Sequence, residues 1–289
     1  MKNKNSIYLF TIPALIVMVV FFLYPIFLSI QMSFTDFKGV GVANDVGFKN
    51  YERIFSRDRY FDALGVSFSF SFIVVTVQNL LGLFFAAVLY RLPAIRNFSR
   101  AALFTPSMMS FVVVGYVWQF IYSPFNGGLN AILSTLGLEM LQRPWLNDPS
   151  TALFAITAAH IWMFTGYSCA IFLAGFANIS KDIQEAGRLD GASSWQRFRF
   201  LELPLLAPSI TINIVLATIG TLKTFELPFI MTGGGPAGAT RTLSLEIMNN
   251  LFGQYKFGFA SSLSIVMSVV IVTVVFFMNR FLRARENNV

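Results

Sequence analysis

The chain of 289 residues is 55% hydrophobic and 12% charged, with 33 Phe, and its mean hydropathy is +0.65. Soluble domains contain about 45–50% apolar residues, so this composition excludes an ordinary water-soluble fold. The net charge of +7 does not indicate a nucleic-acid surface, because Lys and Arg lie between apolar runs rather than in a basic stripe with stacking aromatics. A single cysteine, Cys169, argues against a disulfide framework or a Cys-based metal site.

Six apolar segments are long enough for a spanning helix, which needs about 20 residues. They cover residues 9–31, 65–90, 101–123, 151–177, 205–230 and 259–281. The first segment is too long for the core of a secretory signal, so we expect it to be retained as a span. The intervening segments are too short for an independent core. The sequence therefore predicts an all-α integral membrane protein with about six transmembrane helices and a single domain over residues 1–289.

Basic residues in short loops indicate the cytoplasmic side of a membrane protein. They cluster at the two termini and in the link after the second segment: Lys2, Lys4, Arg91, Arg96, Arg100, Arg280, Arg283 and Arg285. We therefore expect both termini and the 178–204 loop to be cytoplasmic in a multi-pass protein.

Charged and polar residues within the spans are candidates for a transport path. Lys223 and Glu226 lie three residues apart in the fifth segment, close enough to pair on one helix face. Charges inside a membrane usually face protein or water. Two interpretations remain, a substrate path that also includes Phe225 and Asn213, or an ion pair between helices or at the interface. The only histidine, His160, has no carboxylates at ligand spacing, so we predict an interhelical hydrogen bond and no metal site.

The 178–204 loop has the signals of a helix, a turn and a second helix. Ser180 is suited to the N-cap of the first helix, and Gly191 is placed to end it. Ser193 and Gln196 have the spacing of a capping box for the second helix. The loop is therefore more organised than a simple connection.

Two uses of this loop are open on physical grounds. Ala186, Gly187 and Ala192 would let a short helix enter a groove on a partner, where Glu185 and Asp190 would make polar contacts. Alternatively, the hairpin is amphipathic and lies at the lipid headgroups.

The segments Glu185-Ala186-Gly187, Asp190-Gly191-Ala192 and Leu203-Pro204 resemble the "EAA" loop of binding-protein-dependent ABC importer permeases. Two positions depart from the usual pattern, Gly187 where Ala is common and Leu201 where Ile is common. The resemblance implies the ABC type I importer permease fold, in which this loop is a coupling helix that enters a cleft of a cytoplasmic ATPase.

The same resemblance assigns roles within the coupling loop. It implies polar contacts of Glu185 and Asp190 with the ATPase, a turn at Gly191, and packing of Leu189 and Ala192 in the cleft. The small residues Ala186 and Gly187 complete the motif.

A second segment resembles the carbohydrate-uptake branch of this family. It lies in the predicted outer loop after the fifth span and consists of Thr232, Gly233, Gly234, Gly235 and Pro236. The resemblance implies a sugar importer in a bacterial or archaeal cytoplasmic membrane. It also implies three kinds of partner: a second permease, two ATPases and an extracytoplasmic solute-binding protein.

The glycine run does not fit a phosphate-binding loop, because no Gly-Lys-Ser/Thr follows Gly235. We therefore expect no cofactor in this chain and no enzyme activity of its own, with ATP and Mg²⁺ bound by the partner ATPases. An ABC permease for a non-sugar solute such as glycerol phosphate would share every one of these motifs. A secondary transporter would typically show repeats and charged relays in mid-membrane, and the sequence shows neither.

Overall fold

The computed structural model describes residues 4–92 and 101–286, and side chains over 11–92 and 101–284. Lys2, Arg96 and Arg100 of the predicted cytoplasmic face lie outside the described residues, as do the side chains of Lys4 and Arg285. The chain divides into two compact units, Met1–Phe61 with Glu246–Val270 and Asp62–Leu245 with Ile271–Val289. The single domain over 1–289 stays a prediction.

Helices cover most of the described part of the chain, and no β-strand occurs in residues 4–92 or 101–286. In chain order the α-helices are α1 Lys4–Met18, α2 Tyr24–Ser33, α3 Lys49–Phe55, α4 Asp58–Arg91, α5 Phe111–Ile121, α6 Gly128–Thr135, α7 Pro149–Ala177, α8 Lys181–Leu189, α9 Ser194–Arg197, α10 Leu203–Leu205, α11 Ala207–Lys223, α12 Glu226–Thr232, α13 Leu243–Met248 and α14 Phe257–Glu286. Short π-helical turns cover Val19–Leu23, Phe198–Glu202 and Asn249–Gly253, and 3-10 turns cover Thr105–Met108 and Glu139–Leu141.

The helices provide four to six membrane spans. Four stretches are long and apolar enough to cross a membrane: Thr11–Ser33, Asp58–Arg91, Pro149–Ala177 and Phe257–Ala284. Two further pairs pass the same test together but are bent, Ala101–Met108 with Phe111–Ile121 by 105° and Ser194–Leu205 with Ala207–Lys223 by 65°. Counting each pair as one span gives six, which confirms the predicted all-α class.

The third predicted span is not one continuous helix over 101–123. Pro106 lies in a 3-10 turn, and Met109 has an extended backbone (φ −78°, ψ 151°). The hydroxyl of Ser110 then accepts a hydrogen bond from the Val113 N–H and starts α5. Proline and a good N-cap residue so close together favour two short helices over one long helix.

The fifth predicted span, 205–230, is also broken. Helix α11 ends at Lys223, Thr224 has an extended backbone (φ −65°, ψ 128°), and Glu226 begins α12. Freed backbone groups at membrane depth are tolerated only when protein or water satisfies them. Here the Thr224 carbonyl accepts a hydrogen bond from the Thr242 hydroxyl at 3.1 Å.

Packing in the second unit centres on side chains from α4, α5, α7 and α12. Phe70, Val74, Val114, Ile156 and Leu227 are all fully buried in this cluster. Membrane helices associate by van der Waals packing, for which small residues allow close approach.

The first unit contains a buried carboxylate, Glu246, which pairs with the Arg59 guanidinium at 2.8 Å.

The backbone of a neighbouring segment lies directly against Gly166 of α7. A Cβ added to Gly166 would lie 1.9 Å from the carbonyl oxygen of Leu103 and 2.5 Å from its carbonyl carbon. The backbone of the Ala101–Met108 segment therefore rests directly on α7, where a side chain is sterically excluded.

Candidate coupling loop and membrane cavity

The first helix of the 178–204 loop begins and ends as its sequence predicts. The Ser180 hydroxyl accepts a hydrogen bond from the Asp182 N–H at 3.1 Å. At the other end Gly191 has a left-handed backbone (φ +74°), and the Ala192 N–H donates to the Gly187 carbonyl at 3.1 Å. A left-handed glycine with this hydrogen bond is a common helix C-cap. The predicted N-cap and C-cap of α8 are both confirmed.

The second helix begins with the predicted capping box. The Ser193 N–H donates to Gln196 Oε1 at 2.8 Å, and the Gln196 N–H donates to Ser193 Oγ at 3.3 Å. This helix continues through a π-helical turn to Leu205, where it bends into α11. The loop and α11 are therefore one helical path interrupted by a bend.

The residues predicted to contact the ATPase do not all face the same way. Glu185, Ala186, Leu189, Asp190 and Gly191 are exposed, and Leu189 retains 88% of its accessible surface. Ala192 is half-buried, and Gly187 is buried. An exposed leucine beside two carboxylates is suited to docking against another protein, whereas Gly187 faces the second helix of the loop.

The two departures from the usual loop pattern meet in space. A Cβ added to Gly187 would lie 2.6 Å from Cδ1 of Leu201. The glycine therefore makes room for the longer branch of the leucine, and the two helices of the loop close on each other at this point.

We expect this contact to appear in a double-mutant cycle. Gly187→Ala should leave stability nearly unchanged, because a helix-propensity gain of about 1 kcal/mol is offset by a cost of similar size when the flexible end of Leu201 shifts. In a Leu201→Val background the Cδ1 atom is gone, and the same substitution should stabilise the protein by about 0.5–1 kcal/mol. The melting temperature of the purified protein measures both effects. Equal changes in the two backgrounds would show that Gly187 and Leu201 are not coupled.

Two side-chain contacts hold the loop against the end of α4. Arg91 Nη2 donates to Glu202 Oε2 at 2.7 Å, and Gln184 Nε2 donates to the Tyr90 hydroxyl. Glu202 is 5% exposed, so removing Arg91 would leave a buried carboxylate without its counter-charge. In the sequence Arg91 is only an orientation signal, since nothing local links it to Glu202.

A cavity with a mainly apolar lining and several polar side chains lies among α4, α5, α7 and α11. Its volume is about 250 Å³, and its walls are formed by Gln78, Phe111, His160, Phe164, Tyr167, Asn213, Leu216, Ala217, Gly220, Thr221 and Thr224. Asn213, one of the predicted path residues, is among them. Sequence reasoning missed Gln78, Thr221 and Thr224, although a glutamine within an apolar span is a detectable signal.

The cavity wall contains an ordered hydrogen-bond chain. Gln78 Nε2 donates to Ser168 Oγ at 2.7 Å, and Ser168 Oγ donates to Asn213 Oδ1 at 3.1 Å. Within the described residues, buried Gln78 Oε1 and His160 Nδ1 have no hydrogen-bond partner. Buried polar groups are normally satisfied, so these two atoms are exceptions in the wall of the cavity.

The Nδ1 atom of His160 does not make the predicted interhelical hydrogen bond, because it has no partner in the described residues. The imidazole ring instead packs against two phenyl rings. The distance between ring centroids is 5.4 Å to Phe70 and 4.7 Å to Phe164. Aromatic packing takes the place of a polar partner on this side of the imidazole.

Lys223 and Glu226 do not form the predicted ion pair. Each of the two ion pairs in the described residues has other partners, and the helix ends between the two positions. Lys223 is exposed, while Glu226 Oε2 accepts a hydrogen bond from the Phe225 N–H at 3.2 Å. None of these three residues lines the cavity, and their role in a path stays a prediction.

The glycine-rich segment forms a closed turn. Gly233 and Gly234 have left-handed backbones, and the N–H groups of Gly233, Gly234 and Gly235 donate to carbonyl oxygens of α12. The hydroxyls of Thr232 and Thr240 are 2.6 Å apart, and Pro236 follows in the same turn. Since its backbone donors are used internally, this segment is not arranged to hold a phosphate.

Bent membrane helices around this cavity and an ordered loop that exposes Leu189 distinguish the fold from a bundle of straight helices. Residues 78–288 match the family described as "Binding-protein-dependent transport system inner membrane component". The chain belongs to this family and is an inner-membrane component of a transport system.

Relatives and a solved structure match this chain over nearly its full length. The trehalose/maltose transport system permease protein MalF of Thermococcus litoralis is 35% identical over 92% of this chain and 90% of its own length. The sn-glycerol-3-phosphate transport system permease protein UgpA of Agrobacterium fabrum is 31% identical over 98% and 96%. A bacterial alginate ABC transporter, solved with an alginate pentasaccharide-bound periplasmic protein, matches with a TM-score of 0.84 over 99% of this chain and 96% of that chain at 22% identity. This last likeness confirms the importer permease fold.

Proposed function

We propose that this chain is one of two permease subunits of an ATP-driven importer of sugars or oligosaccharides. The observation that carries the proposal is a cavity whose lining combines polar side chains, including Gln78, Asn213 and Thr221, with aromatic rings. A hydroxyl-rich solute can both donate to and accept from such groups. The maltose and alginate relatives support this substrate class.

The loop is connected to the cavity by two helices. In α4, Tyr90 and Arg91 contact the loop, and Gln78 lies 12 residues earlier, or about 18 Å along the helix. The second connection runs through the second helix of the loop, which continues into α11, the helix that carries Asn213. A displacement of α8 by a partner would therefore move both walls of the cavity. This is the basis of alternating access in this chain.

The partners and the orientation form part of the same proposal. Glu185, Leu189 and Asp190 would contact one of two cytoplasmic ATPases, which hold ATP and Mg²⁺. A second permease would complete the path, and an extracytoplasmic solute-binding protein would deliver the substrate. Both termini and the loop would lie in the cytoplasm, with the Thr232–Pro236 turn outside.

Affinity purification of the tagged chain from its native membrane in mild detergent tests this assembly. We expect a P-loop ATPase and a second permease to copurify, and sugar uptake in proteoliposomes to require both ATP and the binding protein. Uptake of glycerol phosphate in place of sugars would keep the importer and change the substrate class. A chain that purifies alone and transports without ATP would refute the proposal.

We expect Gln78→Leu to lower sugar uptake at least tenfold, because it removes the donor to Ser168 and one of the polar side chains that line the cavity. Asn79→Leu is the matched control, since its side chain donates within its own helix to the Val75 carbonyl at 2.7 Å and does not line the cavity. It should retain most of the uptake. Initial uptake rates at equal amounts of assembled complex measure both variants, and equal losses would exclude a specific role for the cavity.

A further inference from the structure

We propose that a groove between α4 and the second helix of the loop binds an anionic phospholipid of the cytoplasmic leaflet. The groove has a volume of about 460 Å³. Its α4 wall is apolar from Leu80 to Val88 and ends at Arg91, and its other wall includes Trp195 and Phe198. The inference depends on the proposed membrane orientation and not on which solute is transported.

The apolar wall has the dimensions of one membrane leaflet. Leu80 and Arg91 are 11 residues apart, or about 16 Å along a helix, and half of a bilayer core is about 15 Å thick. Leu80 and Phe84 keep 63% and 60% of their surface exposed. An acyl chain would cover them along their full depth, which a soluble anion could not do.

The charged end of the groove suits a phosphate. Arg91 is the only charged residue that lines it in the part of the chain that the structure describes. The Arg91 guanidinium lies 5.6 Å from the centre of the Phe198 ring, and its side chain is 37% exposed. Glu202 accepts a hydrogen bond from Nη2, whereas a guanidinium has five N–H donors. Donors therefore remain for a headgroup, and arginine binds phosphate oxygens in pairs.

Trp195 supplies the third part of the site. It is 69% exposed and lines the same groove as Arg91, and tryptophan is enriched where headgroups meet the hydrocarbon core. A lipid in the groove would contact α4 and the second helix of the loop at once, beside the Arg91–Glu202 ion pair. Its presence would therefore hold the loop against α4 and influence the transmission of ATPase motion.

Photo-crosslinking of the whole purified importer in nanodiscs tests the site. The probes are phosphatidylglycerol and phosphatidylcholine with a diazirine in the acyl chain, each at the same mole fraction, and mass spectrometry locates the adducts. We expect about fivefold more adduct with phosphatidylglycerol on residues 80–91 and 194–198, which corresponds to about 1 kcal/mol for one basic residue. Equal yields for the two lipids, or no adduct of either lipid on these segments, would overturn the proposal.

Two variants separate binding from folding. Arg91→Gln should abolish the preference, whereas Arg199→Gln should retain it, because Arg199 is exposed and does not line the groove. Since Arg91→Gln also leaves Glu202 without its partner, Val88→Phe provides a second test that fills the groove and keeps the ion pair. It should reduce adducts of both lipids about fivefold, and unchanged adducts would contradict the site. Sugar uptake by the same preparations reports separately on the proposed transport function.

Discussion

Gly191→Pro is expected to lower transport at least 100-fold while leaving the protein inserted in the membrane. Gly191 has φ +74°, whereas proline fixes φ near −65°. Its N–H also donates to the Arg188 carbonyl at 3.1 Å, and proline has no N–H. The turn after α8 would therefore open, and the exposed Leu189 would be displaced. Substrate uptake and the amount of protein in the membrane are measured together.

Gly191→Asn is the matched control for this turn. Asparagine tolerates the left-handed region better than other residues with a side chain, and a Cβ at Gly191 meets no atom within 4 Å. It should retain at least half of the transport. Normal uptake by Gly191→Pro would exclude a coupling role for the turn, and loss of uptake in both variants would show that backbone conformation is not the cause.

Gly166→Ala is expected to prevent most of the chain from folding. The added methyl would lie 1.9 Å from the Leu103 carbonyl oxygen, which belongs to the backbone and cannot rotate away. Inserting a methyl into a packed site costs about 1–3 kcal/mol or more, and here the Ala101–Met108 segment must separate from α7. The measurement is the yield of monodisperse protein and its melting temperature in detergent.

Gly65→Ala is the corresponding control within α4. A Cβ at Gly65 meets nothing within 4 Å, and alanine favours a helix over glycine by about 1 kcal/mol. This variant should be as stable as the parent chain or more stable. A Gly166→Ala protein with the yield and melting temperature of Gly65→Ala would show that the close approach at Leu103 relaxes at little cost.

Signals that act within a few residues were sufficient for the helical class and for the ends of the loop helices. Runs of about 20 apolar residues indicate spans because unsatisfied backbone groups are costly in lipid. The N-cap at Ser180, the C-cap at Gly191 and the capping box at Ser193 depend on hydrogen bonds between residues at most five positions apart. Their geometry follows from local sequence, and the structure confirms it.

Contacts between residues distant in the chain needed the tertiary structure. Arg91 pairs with Glu202 across 111 positions, and Gln78 reaches Ser168 across 90. The break at Thr224 separates Lys223 from Glu226, although their spacing alone places both residues on one helix face. Hydropathy indicates which segments are apolar enough to be buried, but not which segments pack against each other. Local sequence was therefore sufficient for the number of apolar segments, the loop and its caps, whereas the position of the cavity and its connection to the loop depend on contacts between distant segments.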